Sequence, residues 1–234
     1  MLRFRNLVLL ALCSLLLLTG CQKKPASTAD VPRVLSPRYS IAVVPFSQPT
    51  EACNLIMGHL PENQGCIPAN QLMQLDNELR TLLTSRESVR SVSFEKTLPP
   101  FLATSTSFRA TSEPQALPGW AKFAKKTGKD FILVPQVLDW HEREGSAAGV
   151  TKSASVHIEF YLIRTQTGTV HSHQVFREKQ EGLTSNLLTV GDFFKRKGAW
   201  VTGLDLAREG MTIMLQDMGL LSPYAQQPAI QGKK

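Results

Sequence analysis

The sequence predicts an α/β fold: a mixed β-sheet with two or three parallel strands plus an antiparallel hairpin, and helices packed against the sheet. Three observations carry this. Short apolar runs rich in β-branched residues, at Tyr39–Phe46 and Asp130–Trp140, are separated by two stretches of helical periodicity. Strands joined through helices run parallel, because the crossover returns the chain to the same end of the sheet. Further on, two alternating segments flank "TQTGT", the signature of an antiparallel hairpin, and a last helical stripe follows.

Element by element, "YSIAVVPF" (Tyr39 to Phe46) is a continuous apolar run interrupted by Pro45, which suits a strand buried on both faces. From Asn70, Leu72, Leu75, Leu79, Leu82 and Leu83 recur at helical spacing and predict an amphipathic helix to about Arg86. "VRSVSF" (Val89 to Phe94) alternates and predicts a second strand. A helix from Leu117 places Trp120, Phe123 and Ala124 on one side and stops at Gly128, a residue that accepts the left-handed conformation at a helix end. "DFILVPQVLDW" starts another buried strand. Val156, Ile158, Phe160 and Leu162 then alternate with Ser155, His157, Glu159 and Tyr161, which predicts one core face and one wet face. Gly168 turns the chain and "TVHSHQVF" returns alongside. Ala199 to Met218 aligns Trp200, Leu204, Ala207, Met211, Met214, Leu215 and Met218 on a last helix, a stripe that reads as core rather than a cofactor box.

Ahead of this domain lies a different kind of sequence. Arg3 and Arg5 precede Leu7–Leu18, an almost unbroken apolar run of twelve residues. That is too short for a membrane-spanning helix, which takes about 20, and it has the length and flanks of a secretory signal peptide. It ends in Leu18-Thr19-Gly20-Cys21. That tetrad resembles the lipobox of bacterial lipoproteins, in which the cysteine thiol is acylated and becomes the new N-terminus. The resemblance implies removal of residues 1–20 and a diacylglycerol plus an amide-linked acyl chain (palmitate) on Cys21. A single chain anchors only marginally, whereas several hold a protein stably on a membrane. Gln22, where an Asp would retain enteric lipoproteins in the inner membrane, implies the periplasmic side of the outer membrane, with the inner membrane as the alternative.

The expected organisation follows: a signal peptide over 1–20, a lipidated cysteine and flexible tether over 21–38, one α/β domain over 39–221, and a disordered tail over 222–234. The tether is rich in Pro, Ser and Ala and reaches at most about 60 Å at roughly 3.5 Å per residue. Without Arg3 and Arg5 the chain carries 24 Lys and Arg against 19 Asp and Glu, a net charge of +5. Outside the cytoplasm this mild surplus argues against a nucleic-acid partner and fits an ordinary basic surface or an anionic envelope component.

Of the four cysteines, Cys13 leaves with the signal peptide and Cys21 takes lipid, so Cys53 and Cys66 remain. An isolated pair in an oxidising compartment predicts a disulfide, and closing a loop of about 15 residues contributes about 3 kcal/mol in the chain-entropy model. A metal site with His59 lacks a fourth ligand, and a redox pair is more often C-x-x-C.

The order of elements, together with "IAVVPF", "GKDFILVPQV" and the hairpin around "RTQTGTV", resembles envelope lipoproteins with a TolB N-terminal-like fold, the LpoB/CsgG group. The Cys53–Cys66 segment is an insertion relative to that pattern. The resemblance implies a membrane-anchored, non-catalytic interaction or assembly module with an envelope protein as partner.

Catalytic motifs point the same way. No G-x-S-x-G elbow or P-loop occurs, and "HEREG" at His141 has Gly145 where a zinc protease needs its second histidine. His171 and His173 are two apart on one strand and are expected on one face, with Tyr161 beside them and His157 further along. Two imidazoles without a carboxylate make a poor metal site, so no metal and no cofactor is expected. Asp139, Glu142 and Glu144 crowd one loop, and as an acid–base pair they would need to face a cleft. Two other function classes stay open: a subunit of an oligomeric export assembly, which needs hairpins of 9–11-residue strands with a lipid-facing side, and a cell-wall hydrolase. The candidate partner-binding residues are Phe101, Phe108 and Arg109, in the long connection from Thr97 to Gly119. Aromatic residues beside an arginine favour an interaction hot spot; the alternative is that they pin the loop to the domain.

Overall fold

The computed structural model describes residues 35–102, 112–146, 149–180 and 201–224. In chain order the elements are β1 (Ile41–Val43), α1 (Ala69–Thr84), β2 (Ser93–Phe94), α2 (Leu117–Thr127), β3 (Phe131–His141), β4 (Glu144–Ser146), β5 (Gly149–Lys152), β6 (Ser155–Arg164), β7 (Thr169–Lys179) and α3 (Gly203–Asp217). Five strands form one sheet in the order β2-β1-β3-β6-β7. β1 runs parallel to β2 and β3, and β3–β6 and β6–β7 are antiparallel. The fold is therefore the expected mixed α/β sheet with helices packed on it.

Two apolar layers sandwich the sheet. On one face Leu75, Leu79 and Leu83 of α1 and Leu206, Met211 and Met214 of α3 pack on Ile41, Val43, Phe131, Ile158 and Phe160. Arg208 joins the two helices through a bidentate pair with Glu78 (2.6 and 2.9 Å). On the other face Trp120 and Ala124 of α2 cover Ala42, Ile132, Val134, Tyr161 and Ile163.

Local chemistry explains the element ends. Thr202 and Asp205 form a reciprocal capping box at the start of α3, each side chain accepting the other's backbone N–H at 3.1 Å. Gly128 closes α2 at φ 65°, the left-handed conformation its sequence position predicts. Arg90, almost buried, donates to the carbonyls of Leu35, Ser36 and Tyr39, so the chain is already packed at Leu35.

Three expectations about strands are corrected. Only Ser93 and Phe94 of the predicted Val89–Phe94 strand pair with β1, which is itself three residues long. Ser88 instead bridges to Leu221, beyond α3. The predicted wet face of β6 is buried, because Trp120 and Ala124 of α2 cover Tyr161 and Ile163, and His157, Tyr161 and His173 close around Glu159. Between β3 and β6 the chain also makes an extra antiparallel hairpin, β4–β5, where the sequence suggested a loop.

Candidate functional site

The polar residues of β6 gather into one network on the α2 side of the sheet, beyond the cover that α2 supplies. Strand register sets it up: Tyr161 pairs with His173, Glu159 lies between Gln136 and Val175, and His157 lies between Asp139 and Arg177. Glu159 is the hub and is only 6% exposed. Its Oε1 meets His157 Nε2 at 3.0 Å, and its Oε2 meets His173 Nε2 at 2.9 Å and accepts the Tyr161 hydroxyl. The His173 ring stacks flat on Tyr161 at 4.3 Å, and Arg177 reaches His157 Nδ1 at 3.2 Å.

Burial alone would push the Glu159 carboxyl up, but the hydrogen bonds from His157, His173 and Tyr161 outweigh it and hold the group at about 2. Burial, and then the adjoining Glu159 carboxylate, push the Tyr161 phenol well up. A carboxylate held ionised and shared among three donors is an organised electrostatic anchor. It is not a free base, since its oxygens are already committed.

This network has a pH consequence. Glu159 titrates at about 2 in the fold against an ordinary 4.5. A depressed folded value means that its stabilisation is full above the unfolded value and is lost as pH falls through the folded one. The loss amounts to about 3 kcal/mol between roughly pH 4.5 and 2. Urea unfolding at pH 5 and pH 2.5 is expected to show a smaller acid loss in Glu159→Gln than in the parent. Equal losses in both proteins would contradict the assignment.

The site differs from the sequence expectation in its burial and in the place of His171. His171 is not on the His173 face: a bulge at Leu162/Ile163 inserts one residue into β7, and the His171 ring lies 5.2 Å from Phe131, on the opposite side of the sheet. The sequence did contain a signal for the buried network. Ile163 and Tyr161 fall at the supposedly wet parity of β6, and a solvated strand face seldom carries Ile in that position.

The other candidates disperse. Asp139 accepts the Gly65 N–H (2.7 Å) and faces His141 (3.2 Å). Glu142 accepts from Trp140 Nε1 (3.1 Å) and the Gly203 N–H (3.2 Å), and Glu144 pairs with Lys152 (3.1 Å). These carboxylates hold different parts of the chain and do not converge on a cleft. Among the described residues no group of three or more His, Cys, Asp or Glu side chains is placed to hold a metal ion. Phe101 packs edge-on against Trp120 at 5.4 Å and so lies against α2, while Phe108 and Arg109 lie outside the described residues, as does Cys21.

The expected Cys53–Cys66 disulfide is absent: both are free thiols. Cys53 turns toward Glu51 instead, its thiol 3.4 Å from Oε2, and burial followed by that hydrogen bond pushes the thiol up. Polar contacts close the loop in place of sulfur. Gln64 donates to the Pro49 and Leu138 carbonyls (both 2.8 Å), Gln48 donates to the Gly65 carbonyl (2.7 Å), and the Ile67 N–H donates back to Gln48 (3.0 Å).

No family model and no curated protein matches the chain. Among solved structures it is similar to the PelC dodecamer from Paraburkholderia phytofirmans, at 14% identity over 81% of this chain and 91% of that one, with a TM-score of 0.43. A DUF330 protein from Xanthomonas campestris matches at 10% identity over 76% and 85%, TM-score 0.36. A lipoprotein from Neisseria meningitidis matches at 11% identity over 68% and 98%, TM-score 0.33. At these values none of them transfers a function to this chain.

Proposed function

We propose that this chain is a lipid-anchored, non-catalytic interaction or assembly module of the bacterial envelope, tethered to the periplasmic side of the outer membrane through Cys21. The observation that carries this is the Leu18-Thr19-Gly20-Cys21 tetrad closing a signal-length apolar run. No helix among the described residues is long and apolar enough to cross a membrane. The domain itself supports binding over chemistry, since its buried carboxylate is saturated by His157, Tyr161 and His173. β7 ends the sheet with eleven residues and has no outer strand partner among the described residues, a geometry that accepts an added strand. The β6–β7 hairpin is committed to the domain's own sheet, which disfavours its use as a membrane-spanning pair.

Cys21→Ala is expected to move the protein from the membrane fraction to the soluble fraction, or to leave it unprocessed, as read by fractionation and intact-mass measurement. Normal maturation and membrane retention of the variant would overturn the proposal. Crosslinking the anchored protein in its native envelope would then identify the partner.

A further inference from the structure

The strand order creates a crevice that the proposed module function does not use. β1 and β2 are parallel neighbours, yet the chain leaving β1 leads to α1 on one face of the sheet, and the chain leaving β2 leads to α2 on the other. The two connections leave the carboxyl ends of β1 and β2 on different faces, and a crevice lies at those ends. Here the crevice is a cavity of about 250 Å³ at the ends of β1 and β2 and beside α1.

Its lining has three chemistries. Val43, Leu79 and Phe94 provide apolar surface. Asp76, half-buried on α1, accepts the Phe46 N–H through Oδ1 at 2.7 Å, and its Oδ2 accepts no hydrogen bond among the described residues. One turn along the helix the Arg80 guanidinium carbon lies over the Phe94 ring, 4.0 Å from its centre, and Lys96 stands just past the end of β2. The cation–π contact holds the guanidinium beside the crevice, where its N–H groups can meet an anion. Burial pushes the Asp76 carboxyl up against the opposing pull of the Phe46 N–H and Arg80, so a cationic donor at Oδ2 would relieve its desolvation. Positions i and i+4 on a helix are about 5–6 Å apart, close to the ~7 Å that two extended residues span.

We propose that this crevice binds a dipeptide-sized zwitterion with an apolar side chain, its ammonium on Asp76 Oδ2 and its carboxylate between Arg80 and Lys96. The apolar side chain lies on Leu79 and Phe94. The Asp76 contact is charge-assisted and partly withdrawn from water, while the exposed Arg80 and Lys96 add charge-assisted contacts at the rim of the crevice.

The test is calorimetric titration of the full-length protein in detergent with L-alanyl-L-leucine, its N-acetyl form and its C-terminal amide. Saturable binding of the free dipeptide is expected, weakened about tenfold or more by blocking either terminus. Asp76→Asn, which keeps an acceptor for the Phe46 N–H, should erase the preference for the free amine while leaving the preference for the free carboxylate. Arg80→Gln with Lys96→Gln, both on exposed positions, should do the reverse, and this pair decides the matter should Asp76→Asn fail to fold. Absence of saturable binding, or binding indifferent to both blocked termini, overturns the proposal. Terminal preferences that survive these substitutions overturn it as well.

Discussion

Glu159→Ala is expected to destabilise the domain by about 3–5 kcal/mol, the range for removing one partner from a buried, hydrogen-bonded charge cluster. The alanine removes the acceptor for three groups at once. His157 is 5% exposed and Tyr161 is fully buried, so neither can turn to water for a replacement bond. Each buried polar group left unpaired costs roughly 1–3 kcal/mol, and the missing carboxylate also leaves a void beside Gln136, whose buried Oε1 has no hydrogen-bond partner among the described residues. Glu159→Gln retains the volume and an acceptor oxygen and should lose less. Urea denaturation of the three proteins at pH 7 separates these outcomes. If Glu159→Ala unfolds within about 1 kcal/mol of the parent, the network is not the electrostatic anchor described above.

The second large effect is expected at Gly65. An alanine Cβ there would sit 2.1 Å from the Trp140 carbonyl oxygen and 2.9 Å from its carbon, both backbone atoms of β3. Backbone in a paired strand cannot yield as a flexible side chain can, so the loop must move. Moving it breaks the Gly65 N–H bond to Asp139 and the Gln48 bond to the Gly65 carbonyl. Overpacking and the lost bonds together amount to about 3 kcal/mol. Gly58→Ala is the control: nothing lies within 4 Å of its Cβ position, and only the cost of φ 78° applies, about 1 kcal/mol. Thermal melts of both variants should show Gly65→Ala shifted several-fold further. Equal shifts would mean that the Gln48, Gln64 and Asp139 contacts do not hold this loop to the sheet.

These two positions also mark where the sequence stops being informative. Gly65 is one of three glycine and proline residues in a loop that looked closable by sulfur, and nothing local reveals that a strand carbonyl lies against it. Glu159 alternates with apolar residues just as a solvated strand residue does. What makes it a buried hub is the pairing of β6 with β3 on one side and β7 on the other, which brings Gln136 and His173 to it from 23 residues before and 14 residues after.

The sequence by itself determined the elements whose signals repeat along the chain. Leu75, Leu79 and Leu83 mark the buried stripe of α1, Met211, Met214 and Leu215 mark that of α3, and Gly128 marks the end of α2. The apolar residues of β3, interrupted by Gln136 and Asp139, likewise announced a buried strand. Periodicity and helix-end chemistry are set by neighbours within a few residues, so they are legible before folding. Only the tertiary structure decided the order of the strands, the burial of the polar face of β6, the bulge that sends His171 away from His173, and the crevice between β1 and β2. Each of these depends on which distant backbone pairs with which, and a shift of one residue in that pairing reverses the face of every side chain beyond it.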